Sequence, residues 1–212
     1  MFNQVFDPDN LFWRIISGGV DFIGLSILWA ALCLPVITAG PATAALYYTV
    51  VKVFRQHEDR TFRIMLTEFR NNLKKGIPLS IVSALILMAV MGGYRIMVMH
   101  TDTDFGAVMF MAYYVALIIP IGWVLYVFPV LGRFEQDIKG IAATAFALTI
   151  RHLPSTIILV LMNVQLAVFV LEKWVPVLFV PTLSALLSSF FLERIFIKYL
   201  KPEEQEAFRG EA

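Results

Sequence analysis

The sequence predicts an all-α fold, a polytopic transmembrane helical bundle of about five spans with amphipathic cytoplasmic interfacial helices. Apolar residues make up 59% of the 212 residues, and the mean hydropathy is +0.76. A soluble domain would be about 45–50% apolar. Several uncharged runs also reach the roughly 20 residues that a helix needs to cross a bilayer. We therefore expect a single membrane domain over residues 1–212.

The longest uncharged stretch, residues 22–51, is interrupted by Pro35 and by Gly40-Pro41. Proline cannot continue a regular helix because it lacks a donor N–H, whereas it suits the first position of a new helix. The stretch therefore predicts one membrane helix, a turn, and a second helix. The alternative is a partly inserted helical hairpin with its turn at Pro35 and the amino terminus inside.

Apolar runs and helical periodicity predict the remaining elements. The predicted spans lie near residues 20–36, 76–99, 106–132, 153–171 and 174–197. Predicted interfacial helices lie near residues 10–18, 42–56, 60–74 and 135–150. A weak internal repeat places Pro78 and Pro154 after similar basic residues, which favours a new membrane helix with proline in its first turn at each site.

Basic residues are concentrated in alternate connections of the predicted bundle. The stretch from Lys52 to Lys75 holds seven basic and three acidic residues. By the positive-inside rule, this stretch, the Arg133 loop and the carboxyl-terminal tail lie in the cytoplasm. The net charge of only +1 argues against a nucleic-acid partner.

Several classes of site have no signature in this sequence. No GxxxxGK[ST], GxGxxG or HExxH pattern occurs, and the single cysteine, Cys33, excludes an intramolecular disulfide. We therefore predict no catalytic residue, no cofactor and no metal site.

The motif from Pro35 to Gly40 and the segment that follows it resemble the start of the bacterial YesL-like family of integral membrane proteins. Further matching residues are Leu28, Trp29, Ala42, Ala44, Ala45, Leu46, Tyr47, Tyr48, Phe62, Phe69, Arg70, Asn72, Leu73, Lys74 and Lys75. A weaker resemblance continues through Phe128-Pro129 and Arg133-Phe134 to the last membrane helix. This family is a domain of unknown function, often encoded beside carbohydrate uptake and degradation systems in Gram-positive bacteria. The resemblance implies a multi-pass protein of the bacterial cytoplasmic membrane linked to sugar use, and it transfers no catalytic residue.

Two groups of residues are candidates for function. Cationic and aromatic residues beside a membrane can bind an anionic leaflet or dock a partner, and the candidate interface comprises Pro35, Thr38, Gly40, Pro41, Tyr47, Tyr48, Phe62, Phe69, Arg70, Asn72, Lys74 and Lys75. Polar residues within a bilayer are costly and often functional, which singles out Asn163, Gln165 and Arg95. Asn163 and Gln165 lie about 200° apart around a helix, so we expect one of them to hydrogen-bond to a neighbouring helix.

These observations favour a non-enzymatic accessory or regulatory membrane protein. Its expected partners are the lipid bilayer and subunits of a carbohydrate transporter, and a homo-oligomer is compatible with the sequence. The alternative is a small solute channel or carrier that uses proline-broken helices and the intramembrane amides. A membrane-bound enzyme is the third reading, although no acid and base residues converge at a shared depth.

Overall fold

The computed structural model describes residues 11–55, 60–99, 104–172 and 178–199, and within these ranges the chain is helical, without a strand. The helices are α1 (Leu11–Leu32), α2 (Ala39–Val50), α3 (Thr61–Val98), α4 (Asp104–Ala116), α5 (Ile118–Arg133), α6 (Ile138–Arg151), α7 (Leu153–Glu172) and α8 (Val180–Phe196). Short 3₁₀ turns cover Val36–Thr38 and Ile197–Tyr199, and a π turn covers Val51–Arg55. The predicted all-α class is confirmed.

Within the described residues, five helical segments are long and apolar enough to cross a membrane. They are Val36–Phe54, Thr61–Val98, Phe105–Arg133, Leu153–Glu172 and Val180–Tyr199. The structure therefore has the architecture of a multi-pass membrane protein. The first of these segments, Val36–Phe54, is not the predicted first span near 20–36. The apolar helix in that predicted region, Gly19–Leu32, is shorter than the five segments.

The chain reverses between α1 and α2 at Pro35. The Thr38 hydroxyl donates to the carbonyl oxygens of Leu32 and Pro35, at 2.6 Å each, which closes the turn. Further from the turn, the Trp29 ring N–H donates to the Thr43 hydroxyl at 3.2 Å. The two helices thus form an antiparallel hairpin, the shape considered as the alternative in the sequence analysis.

Helix α2 lies at the centre of the bundle rather than at its edge. Ala42, Ala44 and Ala45 have no exposed surface, and Tyr47 is 2% exposed. Small side chains allow helices to approach closely in a membrane protein. Helix α2 contacts α1, α3, α5 and α8. It is therefore a core helix, whereas the sequence predicts a peripheral interfacial helix near residues 42–56.

Helix α3 is continuous over 38 residues, about 57 Å at 1.5 Å per residue. In this region the sequence predicts an interfacial helix near 60–74 and a span near 76–99, with Pro78 in the first turn of the span. Pro78 instead lies inside α3, and proline is tolerated within membrane helices because neighbouring groups compensate for the lost hydrogen bond. We call residues 61–75 the charged half of α3 and residues 76–98 its apolar half.

The apolar half of α3 and helix α4 project from the core as an antiparallel pair. Leu85, Met88 and Met91 are 57–61% exposed, and Met111 on α4 is 72% exposed. Such an exposed apolar surface is what acyl chains would cover. The chain then continues from α4 into α5 with a break at Leu117, because Pro120 lacks the N–H that would bond to the preceding turn.

Two further helix starts agree with local sequence signals. Helix α6 covers most of the predicted interfacial helix near 135–150, and its first turn is capped by the Asp137 carboxylate, which accepts a hydrogen bond from the Gly140 N–H at 3.1 Å. Pro154 lies in the first turn of α7, as the repeat predicts. By contrast, α1 runs without a break through Ser17-Gly18-Gly19, so the predicted interfacial helix near 10–18 is continuous with the apolar helix within the described residues.

Candidate functional site

A polar pocket of about 750 Å³ opens at the end of the bundle where the basic segments lie. Helices α2 and α3, the end of α5, the α5–α6 connection and the last described turn of the chain enclose it. Its lining residues are Tyr48, Glu68, Asn71, Asn72, Lys75, Leu131, Gly132, Arg133, Phe134, Glu135, Gln136 and Tyr199. We call this cavity the polar pocket.

One face of α3 supplies four of the lining side chains. Glu68, Asn71, Asn72 and Lys75 follow the spacing i, i+3, i+4 and i+7, which places them on the same side of a helix. The Asn72 side chain is buried and donates to the Glu68 carbonyl oxygen at 2.9 Å. The Glu68 carboxylate accepts a hydrogen bond from Asn71. This wall of the pocket is therefore held in place by bonds within α3.

The opposite wall is tied to α3 through Lys75. The Lys75 ammonium donates to the Gln136 carbonyl oxygen at 2.8 Å, and the Gln136 side-chain oxygen accepts from the Thr144 hydroxyl at 3.0 Å. These bonds join the charged half of α3, the α5–α6 connection and α6. Each wall carries a carboxylate, Glu68 on α3 and Glu135 on the α5–α6 connection. The two lie close enough to interact electrostatically.

A buried ion pair lies beside the pocket. The Arg133 Nη2 atom lies 3.3 Å from the Glu193 Oε2 atom, and the Tyr47 hydroxyl donates to Glu193 Oε1 at 2.9 Å. The Glu193 side chain has no exposed surface, whereas the Arg133 side chain is 12% exposed and reaches the pocket. The pair and the Tyr47 hydroxyl thus link α2, α5 and α8 beside the pocket.

Gly132 explains how α5 comes close enough to α2 for this arrangement. A Cβ atom at Gly132 would lie 2.7 Å from the backbone oxygen of Ala44. Only glycine fits there without moving one of the two helices.

His152 lies between α6 and α7, beside the pocket residue Tyr199. Burial lowers the pKa of its imidazole below the ordinary value of 6.5, and the charges of Lys198 and Arg151 lower this pKa further. Its Nε2 atom is 3.5 Å from the Tyr199 hydroxyl. The neutral imidazole is therefore favoured in the folded protein.

The turn residues of the predicted interface mainly serve packing. Pro35 is exposed at the turn, and Thr38 closes it as described above. Gly40 is buried, and its N–H donates to the Ser80 hydroxyl at 3.0 Å. Pro41 is also buried and packs against Gly76, where a Cβ atom would lie 2.5 Å from the Pro41 ring. Gly40 and Pro41 thus fasten the turn to α3.

The other predicted interface residues divide between the pocket and the surface. Tyr48, Asn72 and Lys75 line the pocket, and Tyr47 contacts its buried ion pair. The remaining residues lie outside the pocket. Phe62 packs over Gly24 while remaining 43% exposed, Phe69 is half-buried against α1 and α2, and Arg70 and Lys74 are exposed.

The predicted intramembrane polar residues do not converge. Asn163 donates to the Leu159 carbonyl oxygen at 2.9 Å and to the Ser188 hydroxyl at 3.3 Å, and it accepts from the Ser184 hydroxyl. Asn163 is thus the amide that bonds across helices, whereas Gln165 is exposed. Arg95 is exposed near the far end of α3.

Sequence reasoning missed Glu193 as a buried group and Arg133 as its partner. Glu193 lies near the end of the predicted span at 174–197, a position that favours simple anchoring or pairing. The signal that could have identified it is its position on α8, three residues before Phe196 and one after Leu192, both of which are core residues. A carboxylate on an apolar helical face predicts a buried partner, although not which one.

The fold and the pocket define a multi-pass helical membrane protein with a polar cavity at its basic end. Residues 22–94 match the model of a family described as "Protein of unknown function, DUF624". This part of the chain, which covers the second half of α1, all of α2 and most of α3, is therefore similar to a family without a known function. No curated protein and no solved structure matches the chain.

Proposed function

We propose that the chain is a non-enzymatic accessory or regulatory subunit of a carbohydrate uptake system in the bacterial cytoplasmic membrane. The observation that carries this proposal is the length of α3. Its apolar half accounts for about 34 Å of helix, which is sufficient for a hydrocarbon core of about 30 Å. The charged half then extends about another 22 Å beyond the membrane.

The charged half presents cations that are available to a partner. Arg63, Arg70 and Lys74 are exposed, while the opposite side of the same segment packs against α1 and α2 through Met65 and Phe69. An exposed basic helix on a rigid support suits a partner with an acidic surface. The link to carbohydrate uptake rests on the resemblance to the YesL-like family, and the cytoplasmic orientation of this segment rests on the positive-inside rule.

Co-isolation from native membranes tests the proposal. A variant with Arg63, Arg70 and Lys74 all replaced by Glu should lose the transporter subunits that the wild type retains, and cells carrying it should take up less oligosaccharide. The matched control reverses the exposed cations Lys139 and Arg151 on α6 and should retain the partner. Equal recovery of the transporter with both variants, or unchanged uptake after deletion of the gene, would contradict the proposal.

The alternative function, a small solute channel or carrier, has one supporting observation. The polar pocket is large enough for a small solute and opens towards the basic end of the bundle. Liposomes that contain only this protein should then show solute flux, which an accessory subunit would lack.

A further inference from the structure

We infer that the polar pocket binds an uncharged, multiply hydroxylated small molecule, that is, a saccharide or a polyol. The ligand class is argued from the lining alone. A ligand bound here could also act as a signal to a docked transporter, and that role alone rests on the proposed function.

The size and rigidity of the pocket are those of a ligand site. Its volume of about 750 Å³ falls within the range of roughly 300–1,000 Å³ that is typical of small-molecule pockets. Both walls are held by hydrogen bonds, namely Asn72 to the Glu68 carbonyl oxygen and Lys75 to the Gln136 carbonyl oxygen. A ligand would therefore meet groups that are already oriented, which reduces the entropy lost on binding.

The charges of the lining favour a neutral ligand. Lys52 lies close enough to Glu68 to interact with it electrostatically, and the lining itself holds two carboxylates, Glu68 and Glu135, and two cations, Lys75 and Arg133. Both cations are already engaged, Lys75 by a backbone carbonyl and Arg133 by the buried Glu193 carboxylate. A phosphate or carboxylate ligand would have to compete for them while facing Glu68 and Glu135, which disfavours an anion.

The remaining groups match hydroxyl-rich molecules. Asn71 and Asn72 supply planar amides, and Glu68 supplies acceptor oxygens, so that neighbouring hydroxyl groups of a sugar could both donate and accept. Tyr48 and Tyr199 add aromatic rings to the lining, and the Lys52 ammonium covers one face of the Tyr48 ring, 6.0 Å from its centre. Alternation of apolar rings with planar polar groups suits the two kinds of surface that a sugar ring presents.

Calorimetric titration of the full chain in lipid nanodiscs tests this inference. The probes are glucose, xylose, maltose, sucrose, maltotriose and xylitol at millimolar concentrations. At least one should bind saturably, and Asn71→Ala and Glu68→Gln should each weaken that binding about tenfold or more. Asn71→Ala removes an amide from the lining, whereas Glu68→Gln replaces a charged acceptor oxygen with a neutral amide. Thr67→Ala and Glu172→Gln change exposed residues outside the pocket and should leave the affinity within about twofold.

Three outcomes would overturn the inference. These are no binding of any neutral probe, tighter binding of glucose 6-phosphate or glycine betaine than of every neutral probe, and equal weakening by pocket and control variants. Size-exclusion profiles identify variants that fail to fold, and Asn71 is exposed enough for replacement without disturbing the core. Co-isolation of a transporter is measured separately, so loss of saccharide binding with retained partner refutes only this inference.

Discussion

Replacing Arg133 with Met should destabilise the bundle strongly, although it removes only one charge. The Glu193 carboxylate, which has no exposed surface, would keep the Tyr47 hydroxyl but lose its cation. A buried charge without its counter-charge is one of the few changes that cost more than about 3 kcal/mol. We therefore expect the free energy of unfolding to fall by about 3–5 kcal/mol.

The separation of the two groups sets the scale of this effect. At 3.3 Å and an effective dielectric constant of about 20, the attraction between the unit charges is about 5 kcal/mol. Removing each ion from water costs several kcal/mol, so the intact pair contributes little net stability. Loss of Arg133 removes the attraction but leaves the cost of burying Glu193. Replacing both residues with Met should consequently be much less harmful than Arg133→Met alone.

The measurement is unfolding in mixed micelles with a denaturing detergent, for the wild type, both single variants and the double variant. Arg194→Met is the matched control, because this cation is adjacent to Glu193 on α8 but exposed. It should change stability by no more than about 0.5 kcal/mol. The reasoning fails if Arg133→Met behaves like Arg194→Met, or if the double variant loses as much as the two single variants together.

Three further predictions concern helix packing and pH. Gly132→Ala should lower the free energy of unfolding by about 1–3 kcal/mol, because the added Cβ meets the backbone of α2. Gly92→Ala has open space around its Cβ and should be neutral or stabilising. Unfolding of the two variants under the same conditions compares them. Asn163→Ala should cost about 0.6–1.7 kcal/mol through lost bonds to α8, and the exposed Gln165→Ala less, by the same assay. The folded-state pKa of His152 lies below 6.5, so the unfolded chain takes up the proton first as the pH falls. The free energy of unfolding should therefore decrease as the pH drops below 6.5. His152→Gln should lose this pH-dependent part of the stability, as measured by unfolding at a series of pH values.

Hydropathy and charge were sufficient to predict the helical class and most of the apolar segments. Their success has a direct physical cause, since a bilayer-crossing helix must be apolar over about 20 residues and its flanking cations mark a side. The predicted spans near 106–132 and 153–171 agree with apolar helices at Phe105–Arg133 and Leu153–Glu172. Here each segment carries its own signal, and packing does not alter it.

Two local sequence signals predict a different structure from the one observed, because packing decides the outcome there. Pro78 predicts the start of a helix, but residues before it already pack against α2, so α3 continues through the proline. The stretch near 42–56 leads into charged residues, which predicts an interfacial helix. Its alanines, however, allow α3 and α5 to approach from different sides, and that close approach makes α2 the core of the bundle.

The buried ion pair beside the pocket could not be predicted from the sequence because it depends on the meeting of three helices. Tyr47 and Glu193 are 146 residues apart, and Arg133 reaches them only because Gly132 lets α5 lie directly on the backbone of α2. A charge near the end of a predicted span looks like a surface anchor until its neighbours are known. The same glycine that permits the close contact therefore also brings Arg133 to the pocket. A side chain at position 132 should consequently disturb both helix packing and ligand binding. Asn71→Ala, by contrast, should impair ligand binding alone.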